Sequence, residues 1–336
     1  MQPALLAVDW GTSSLRGALL AADGTVLACH TAPRGLLTVP AGAWPAVFAA
    51  EFGAWLAAHP GLPCLLAGMV GSRQGWVEAP YCPCPASLAD LAAHLCVVPL
   101  QARPVDAQHT HLAQHAMAIV PGLCTEAAGI PDVLRGEETQ VFGALQLLGL
   151  AGADQVTLVL PGTHSKWVTV QRGRITAFAT HMTGECYALL RQQSILARTL
   201  PALDGNSDSD SAWVADAFDA GIAQAQSAGG LLHHVFSVRS LALMQQQGGA
   251  ALASRLSGLV IGEELRAQAL PAGQAVVLVG GDGLSQRYQR ALQQLGVVVQ
   301  TVGPEATWCG LAALAGLLAA SPGGQAGGAA VGTLQA

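Results

Sequence analysis

The chain alternates short apolar runs with breaks rich in glycine and hydroxyl side chains. "ALLAVDWGTSS" (4–14) is an apolar run closed by Gly, Thr and Ser; "LRGALL" is a return run, "AADG" a turn and "TVLACH" a third run. Short apolar runs bounded by turn residues predict three strands joined as hairpins. The same order returns at 156–181. "VTLVL" is an apolar run, "PGTHS" a turn, "KWVTV" a return run, "QRGR" a turn and "ITAFATH" a third run. A shift of 151 residues lays Gly11-Thr12 over Gly162-Thr163 and Ser14 over Ser165. This is an internal repeat, with one copy near the head of each half.

Between and after the copies the pattern lengthens to helical spacing. "AVFAAEFGAWLAAHP" is helical after an expected break at Pro45. "CLLAGMVGS" (64–72) is a buried strand running into a glycine loop, and "PASLADLAAHL" a helix. "RGEETQVFGALQLLGL" (135–150) is a helix with its carboxylates in the first turn, where the macrodipole favours them. "TGECYALLRQQSILARTL" and "GAALASRLSGLVIGEELRAQAL" are helices, the second stopped by Pro271. Its Gly258 and Gly262 make one face flat enough for another backbone. "AVVLVGGDG" is a strand ending in a glycine turn; "LSQRYQRALQQLG", "VVVQTV" and "ATWCGLAALAGLLAA" follow as helix, strand and helix. The fold class is α/β: two domains, 1–150 and 151–320, with a cleft between them and a flexible Gly/Ala-rich tail at 321–336.

Composition narrows the partners. The 336 residues carry a net charge of −6 and no basic run, which speaks against nucleic acid and acidic membrane surfaces. Eight scattered cysteines, no CxxC pair, no signal peptide and no long apolar run predict a cytoplasmic protein with reduced thiols. Cys82-Pro-Cys84 is too close for one metal bite. His109, His111 and His115 have no carboxylate nearby and are read as surface or cap residues. One of the fifteen basic positions is lysine, Lys166; the rest are arginine.

That lysine ends the second turn. In the first turn, Gly11 lets the backbone approach a phosphate, and Thr12, Ser13 and Ser14 supply donors. Asp9 closes the strand as a candidate ligand for Mg²⁺, and Arg16 lies on the return strand within reach of a transferring phosphate. The second turn, Gly162-Thr163-His164-Ser165-Lys166, has Leu160 where the first has Asp9. One turn carrying metal and one carrying donors suits MgATP, and a compact ammonium fits beside phosphate oxygens in a tight bend. A Walker A loop is excluded, because Ser165 and not Gly precedes the lysine. Gly280-Gly281-Asp282, between strand and helix, suits a nucleotide base or ribose.

Taken together, these features resemble the actin-like ATPase and sugar kinase superfamily. More closely, "VDWGTSSLR", "AGMVGSRQGWVEAPY", "VPGL", "RGEETQ", "PGTHSKWV", "MTGE", "LSGLVIGEE" and "SQRYQ" are similar in order and spacing to the 2-dehydro-3-deoxygalactonokinase family over residues 4–320. The resemblance implies two actin-like (ribonuclease H-like) domains with a nucleotide-binding cleft. It implies ATP and Mg²⁺ as cofactors and phosphorylation of the 6-hydroxyl of 2-dehydro-3-deoxy-D-galactonate; the alternatives are another small sugar or sugar acid, or ATP-gated binding without catalysis. On that footing Gly258 and Gly262 join Gly280, Gly281 and Asp282 as adenosine residues. Arg73, with Gln74 and Trp76, is the expected sugar-acid site, and Arg135 is the substitute for Arg73. The base is Glu138 or Glu137; comparison with type III pantothenate kinases, a related family, favours Glu138, with Asp9 a rival. The sequence allows a homodimer but does not specify one.

Overall fold

The computed structural model describes residues 1–98, 115–201 and 213–320. His109, His111 and the tail at 321–336 lie outside them. The chain divides into two compact units: Met1–Ala151 with the segment from Glu305 onward, and Gly152–Pro304.

The first unit opens with β1 (Pro3–Trp10), β2 (Leu15–Ala21) and β3 (Val26–Ala32), an antiparallel meander. Helix α1 (Trp44–Ala58) follows, and Pro45 sits inside its first turn. Proline there forfeits an N–H that has no intrahelical partner in any case, so Pro45 opens this helix and does not break it. Strand β4 (Cys64–Ala67) runs parallel to β1. Next come β5 (Tyr81–Pro83), α2 (Leu88–Ala93), β6 (Cys96–Val97), β7 (Met117–Ile119), β8 (Gly122–Ala127), β9 (Ile130–Leu134) and α3 (Glu137–Leu147). Ser87 and Asp90 form a reciprocal capping box that starts α2. The main sheet has the order β3-β2-β1-β4-β7-β6, and β5-β8-β9 form a separate small sheet. Strands β5 to β9 are two to six residues long and interrupted by Pro, Cys and Gly, so the apolar pattern did not reveal them. The aromatic residues Trp10, Trp44, Phe48 and Phe52 centre the core of this unit.

The second unit repeats the plan with β10 (Val156–Leu160), β11 (Ser165–Gln171) and β12 (Arg174–His181). Helices α4 (Thr183–Gln193), α5 (Ala215–Ala225), α6 (Gly230–His234), α7 (Phe236–Leu243) and α8 (Gly249–Gln268) follow, then β13 (Ala275–Val279), α9 (Asp282–Gln294) and β14 (Val298–Val302). Helix α8 stops where Ala269 turns left-handed, two residues before Pro271. The sheet order β12-β11-β10-β13-β14 copies β3-β2-β1-β4-β7, with the same antiparallel and parallel pairings. This is the ribonuclease H-like sheet, so both units are actin-like α/β domains.

The last helix, α10 (Glu305–Ala320), corrects the expected division at 151–320. It packs on α3, α2 and β1 of the first unit. Two glycines make the α3–α10 crossing close. A Cβ on Gly143 would stand 1.8 Å from the Ala306 carbonyl oxygen, and one on Gly310 1.9 Å from that of Thr139. The sequence shows this stretch as a helix at the end of the second domain, whereas it belongs to the first unit.

Candidate active site

At the first turn the Gly11 N–H bonds to the Ser14 carbonyl, closing the bend, while Thr12 and Ser13 are exposed. The segment 35–37 backs it, Leu36 and Leu37 donating to the carbonyls of Gly11 and Thr12. Asp9 and Arg16 are cross-strand partners and form an ion pair. Arg16 also lies 5.9 Å from the ring of Trp308 on α10. The Asp9 carboxylate abuts Gly68, where a Cβ would come within 3.3 Å of Oδ1 and 2.8 Å of the Trp10 carbonyl. Gly136 stacks on Gly68 in turn, and both have positive φ (104° and 94°). Only glycine takes these conformations without strain, so the pair lets the N-terminus of α3 approach Asp9.

Both candidate bases sit at that N-terminus and fold back on it. Glu137 Oε2 accepts the Arg135 N–H at 3.0 Å, and Glu138 Oε2 accepts the Gly136 N–H at 2.7 Å. Glu137 is half-buried, whereas Glu138 is completely buried and its Oε1 has no partner. Burial, reinforced by the neighbouring Glu137 charge, pushes the Glu138 carboxyl up to about 8.

The expected sugar-acid residues separate. Arg73 is 88% exposed and faces Glu78 at 3.6 Å, and Gln74 is exposed too. Trp76 is half-buried against Phe48, so it serves the core. Arg135 behaves differently. Its Nη2 donates to the Ala79 carbonyl at 2.7 Å, and its guanidinium stacks 4.5 Å from the Tyr81 ring. Its Nε and Nη1 are buried without an acceptor. Nε and Nη1 lie on opposite edges of the guanidinium, so each is a separate unpaired donor and the two are not one fork for a carboxylate.

The second turn is built otherwise. Lys166 pairs with Leu160, the position equivalent to Arg16 opposite Asp9, and the connection is one residue shorter. The Lys166 side chain is buried, and its ammonium donates to the Thr180 hydroxyl at 2.8 Å. Ser165 is corrected as a phosphate donor: it is fully buried, and its hydroxyl donates inward to Glu264 at 2.8 Å. His164 and Glu185 are partly exposed and 2.5 Å apart. The N-terminus of α4 clasps the turn. Glu185 N–H bonds to the Thr163 carbonyl, and a Cβ on Gly184 would meet the Gly162 carbonyl oxygen at 2.5 Å.

Beside this turn lies a partly open pocket within the second unit. Gly162 and Gly184 form one end, Tyr187, Val260, Ile261, Leu284 and Tyr288 give apolar walls, and Arg287 adds a cation. Gly280 borders the turn, since its Cβ position is 3.9 Å from Pro161, and Gly281 caps α9 in open space. Asp282 is the first residue of α9. Gly258 and Gly262 are corrected as adenosine residues. A Cβ on Gly258 would stand 2.2 Å from the Phe218 carbonyl oxygen, and one on Gly262 2.6 Å from Ala225 Cβ. The backbone of α5 occupies that face. Ser257 and Ile261, each one position before a glycine and about 100° around the helix from it, line the cavity instead, with Val260.

Sequence reasoning passed over Glu264, Thr183 as a side-chain donor, and Tyr288. The signal was a charged residue inside an otherwise apolar helix face, in "LVIGEEL". Among the described residues no three His, Cys, Asp or Glu side chains are grouped to hold a metal, and no helix is long and apolar enough to cross a membrane.

The sequence profile of the 2-keto-3-deoxy-galactonokinase family matches residues 9–314. A Rhizobium meliloti (strain 1021) protein named "Probable 2-dehydro-3-deoxygalactonokinase" is 35% identical over 92% of this chain and 95% of its own. The 2-dehydro-3-deoxygalactonokinase of Escherichia coli (strain K12) is 32% identical over 92% and 97%. A crystal structure of a Sinorhizobium meliloti protein assigned as a 2-dehydro-3-deoxygalactonokinase superposes with a TM-score of 0.79 at 35% identity, covering 95% of this chain and 97% of that one.

Proposed function

This chain belongs to the 2-keto-3-deoxy-galactonokinase family, and on that premise we propose that it transfers the terminal phosphoryl group of ATP to the 6-hydroxyl of 2-dehydro-3-deoxy-D-galactonate. The products are ADP and 2-dehydro-3-deoxy-6-phospho-D-galactonate, a step in galactonate breakdown. The observation that carries the reading is the family match across both actin-like units, each headed by a glycine- and hydroxyl-bearing turn at the same strand position.

Phosphoryl transfer asks the protein mainly for positioning and electrostatic stabilisation. The donor base is assigned to the pocket lined by Tyr187, Ile261, Leu284 and Tyr288, whose apolar walls suit it and which borders the second turn at Gly162. Phosphates leaving that cavity meet Gly162, Thr163 and His164, with Lys166 as the cation of the turn. Asp9 and Arg16 serve the transferring group from the first turn. A lone carboxylate at a strand end fits Mg²⁺, which takes most of its ligands from phosphate and water, so Asp9 is the residue that would hold it. Mg²⁺ bound with the nucleotide supplies charge neutralisation at the phosphate oxygens. Arg135, half-buried and with two unpaired donors, is the residue assigned to the substrate carboxylate. Glu138 is the proton acceptor: one of its oxygens is unengaged, and its value near 8 makes it a stronger base than an ordinary carboxylate.

The test is a coupled ADP-release assay over a panel of 2-keto-3-deoxy acids, with mass spectrometry of the product. Turnover of the galactonate derivative and a phosphate on O6 are expected. Turnover of another acid in its place would move the substrate, and ATP binding without any phosphorylated product would end the kinase reading. The kcat/KM profile should rise with pH toward about 8. A profile flat through that range would remove Glu138 as the base and leave Asp9.

A further inference from the structure

Glu264 lies about four-fifths of the way along α8 and is 3% exposed. Its carboxylate collects four donors from three other elements. Oε1 accepts Ser165 Oγ at 2.8 Å and Trp167 Nε1 at 2.7 Å. Oε2 accepts Tyr288 OH at 2.7 Å and also Thr183 Oγ1. A buried carboxylate is tolerated when its lone pairs are filled, and here four neutral donors fill them.

The identity of the donors matters more than their number. Ser165 is the last residue of the second turn before Lys166. Thr183 begins α4, whose Gly184 touches Gly162 and whose Glu185 N–H holds the Thr163 carbonyl. Tyr288 is a wall of the cavity, as is Thr183. Gly162, Gly184, Thr183 and Tyr288 therefore meet at one end of the cavity, and three groups at or beside that end are pinned by one carboxylate. Trp167, next to Lys166, fixes the start of β11 in the same way.

We infer that Glu264 is a positioning residue for the donor nucleotide. It touches no substrate; it sets the second turn, the α4 N-terminus and the Tyr288 wall in register, so that cavity and turn receive base and phosphates together. The inference rests on the reading of this turn and cavity as the ATP site. It assigns to a residue outside the turn the control of nucleotide affinity.

The experiment compares wild type, Glu264→Gln and Tyr288→Phe by calorimetric ADP titration, by KM for ATP and for the sugar acid, and by thermal melting without ligand. Glutamine keeps the shape and one acceptor oxygen but puts an NH₂ where two hydroxyls now donate. The expected result is an ADP Kd and a KM for ATP raised about tenfold in Glu264→Gln, the scale of one lost hydrogen bond to a charged group. Tyr288→Phe should show a smaller rise in the same direction, and the KM for the sugar acid should stay within about twofold. A lowered melting point with unchanged ADP affinity in both variants would reduce Glu264 to a core-stability residue and overturn the inference. If Glu264→Gln does not fold, Tyr288→Phe, which leaves the carboxylate in place, decides by the same criterion. Wild-type protein that fails to bind ADP at all would sink the donor-site reading itself, and this inference with it.

Discussion

The two halves build one strand–turn–strand design and support it with opposite electrostatics. In the first, Asp9 and Arg16 face each other across β1 and β2, and the nearby buried carboxyl, Glu138, has one backbone N–H and an empty oxygen. In the second, Leu160 replaces the acid, Lys166 occupies the slot of Arg16, and the buried carboxylate, Glu264, is saturated with four donors. A carboxyl short of donors holds its proton and is suited to proton transfer. A carboxylate with its lone pairs filled is suited to holding other groups still. The repeat fixed the backbone; the residues behind each turn divided the labour.

The contrast breaks most visibly at the two cations. Lys166→Met should lower kcat by about 10²–10³-fold, the scale for removing a charge that stabilises a transition state. Arg16→Met should cost less, because Asp9 already offsets part of that charge. Equal losses in steady-state assays would mean that the two turns do the same work.

The next effect is on the pH dependence of stability. A carboxyl whose folded value exceeds its unfolded one binds its proton more tightly when folded. Glu138 therefore has no effect well below its ordinary value of 4.5, lowers stability as pH rises from there to about 8, and levels off above that. Glu138→Gln should flatten this decline in thermal melts between pH 5 and 9. A wild-type slope that survives in the variant would assign it to other groups.

Smaller again is the contrast of Ser165 with Ser14, the serines aligned by the 151-residue shift. Ser165→Ala leaves a buried carboxylate one donor short and should cost about 1–3 kcal/mol in denaturant unfolding. Ser14→Ala, half-exposed in the first turn, should stay within about 0.5 kcal/mol. Equal costs would show that the second turn is no more internally tied than the first. The smallest expected effect is at Arg73. Exposed and facing an exposed Glu78, its replacement by Ala should leave the sugar-acid KM within about twofold. A tenfold rise would restore it over Arg135 as the carboxylate anchor.

The sequence by itself determined the repeat, the strand-turn-strand units, the position of most helices and the turn residues, because strand and helix periods and glycine breaks are local properties of the chain. Even the flat face of Gly258 and Gly262 was visible as a pattern. What covers a flat face is a long-range fact, and only the fold showed that α5 fills it while Ser257, Val260 and Ile261 turn to the cavity. The same holds for α10, whose small and apolar residues announce packing but not its place on α3. It holds most of all for Glu264. Its donors lie 24 to 99 residues away, and no local spacing encodes a carboxylate that gathers them. Periodicity records what each residue does along its own element; the meeting of distant polar groups is settled by which elements touch, and that is decided when the sheets and helices of each unit close over their core.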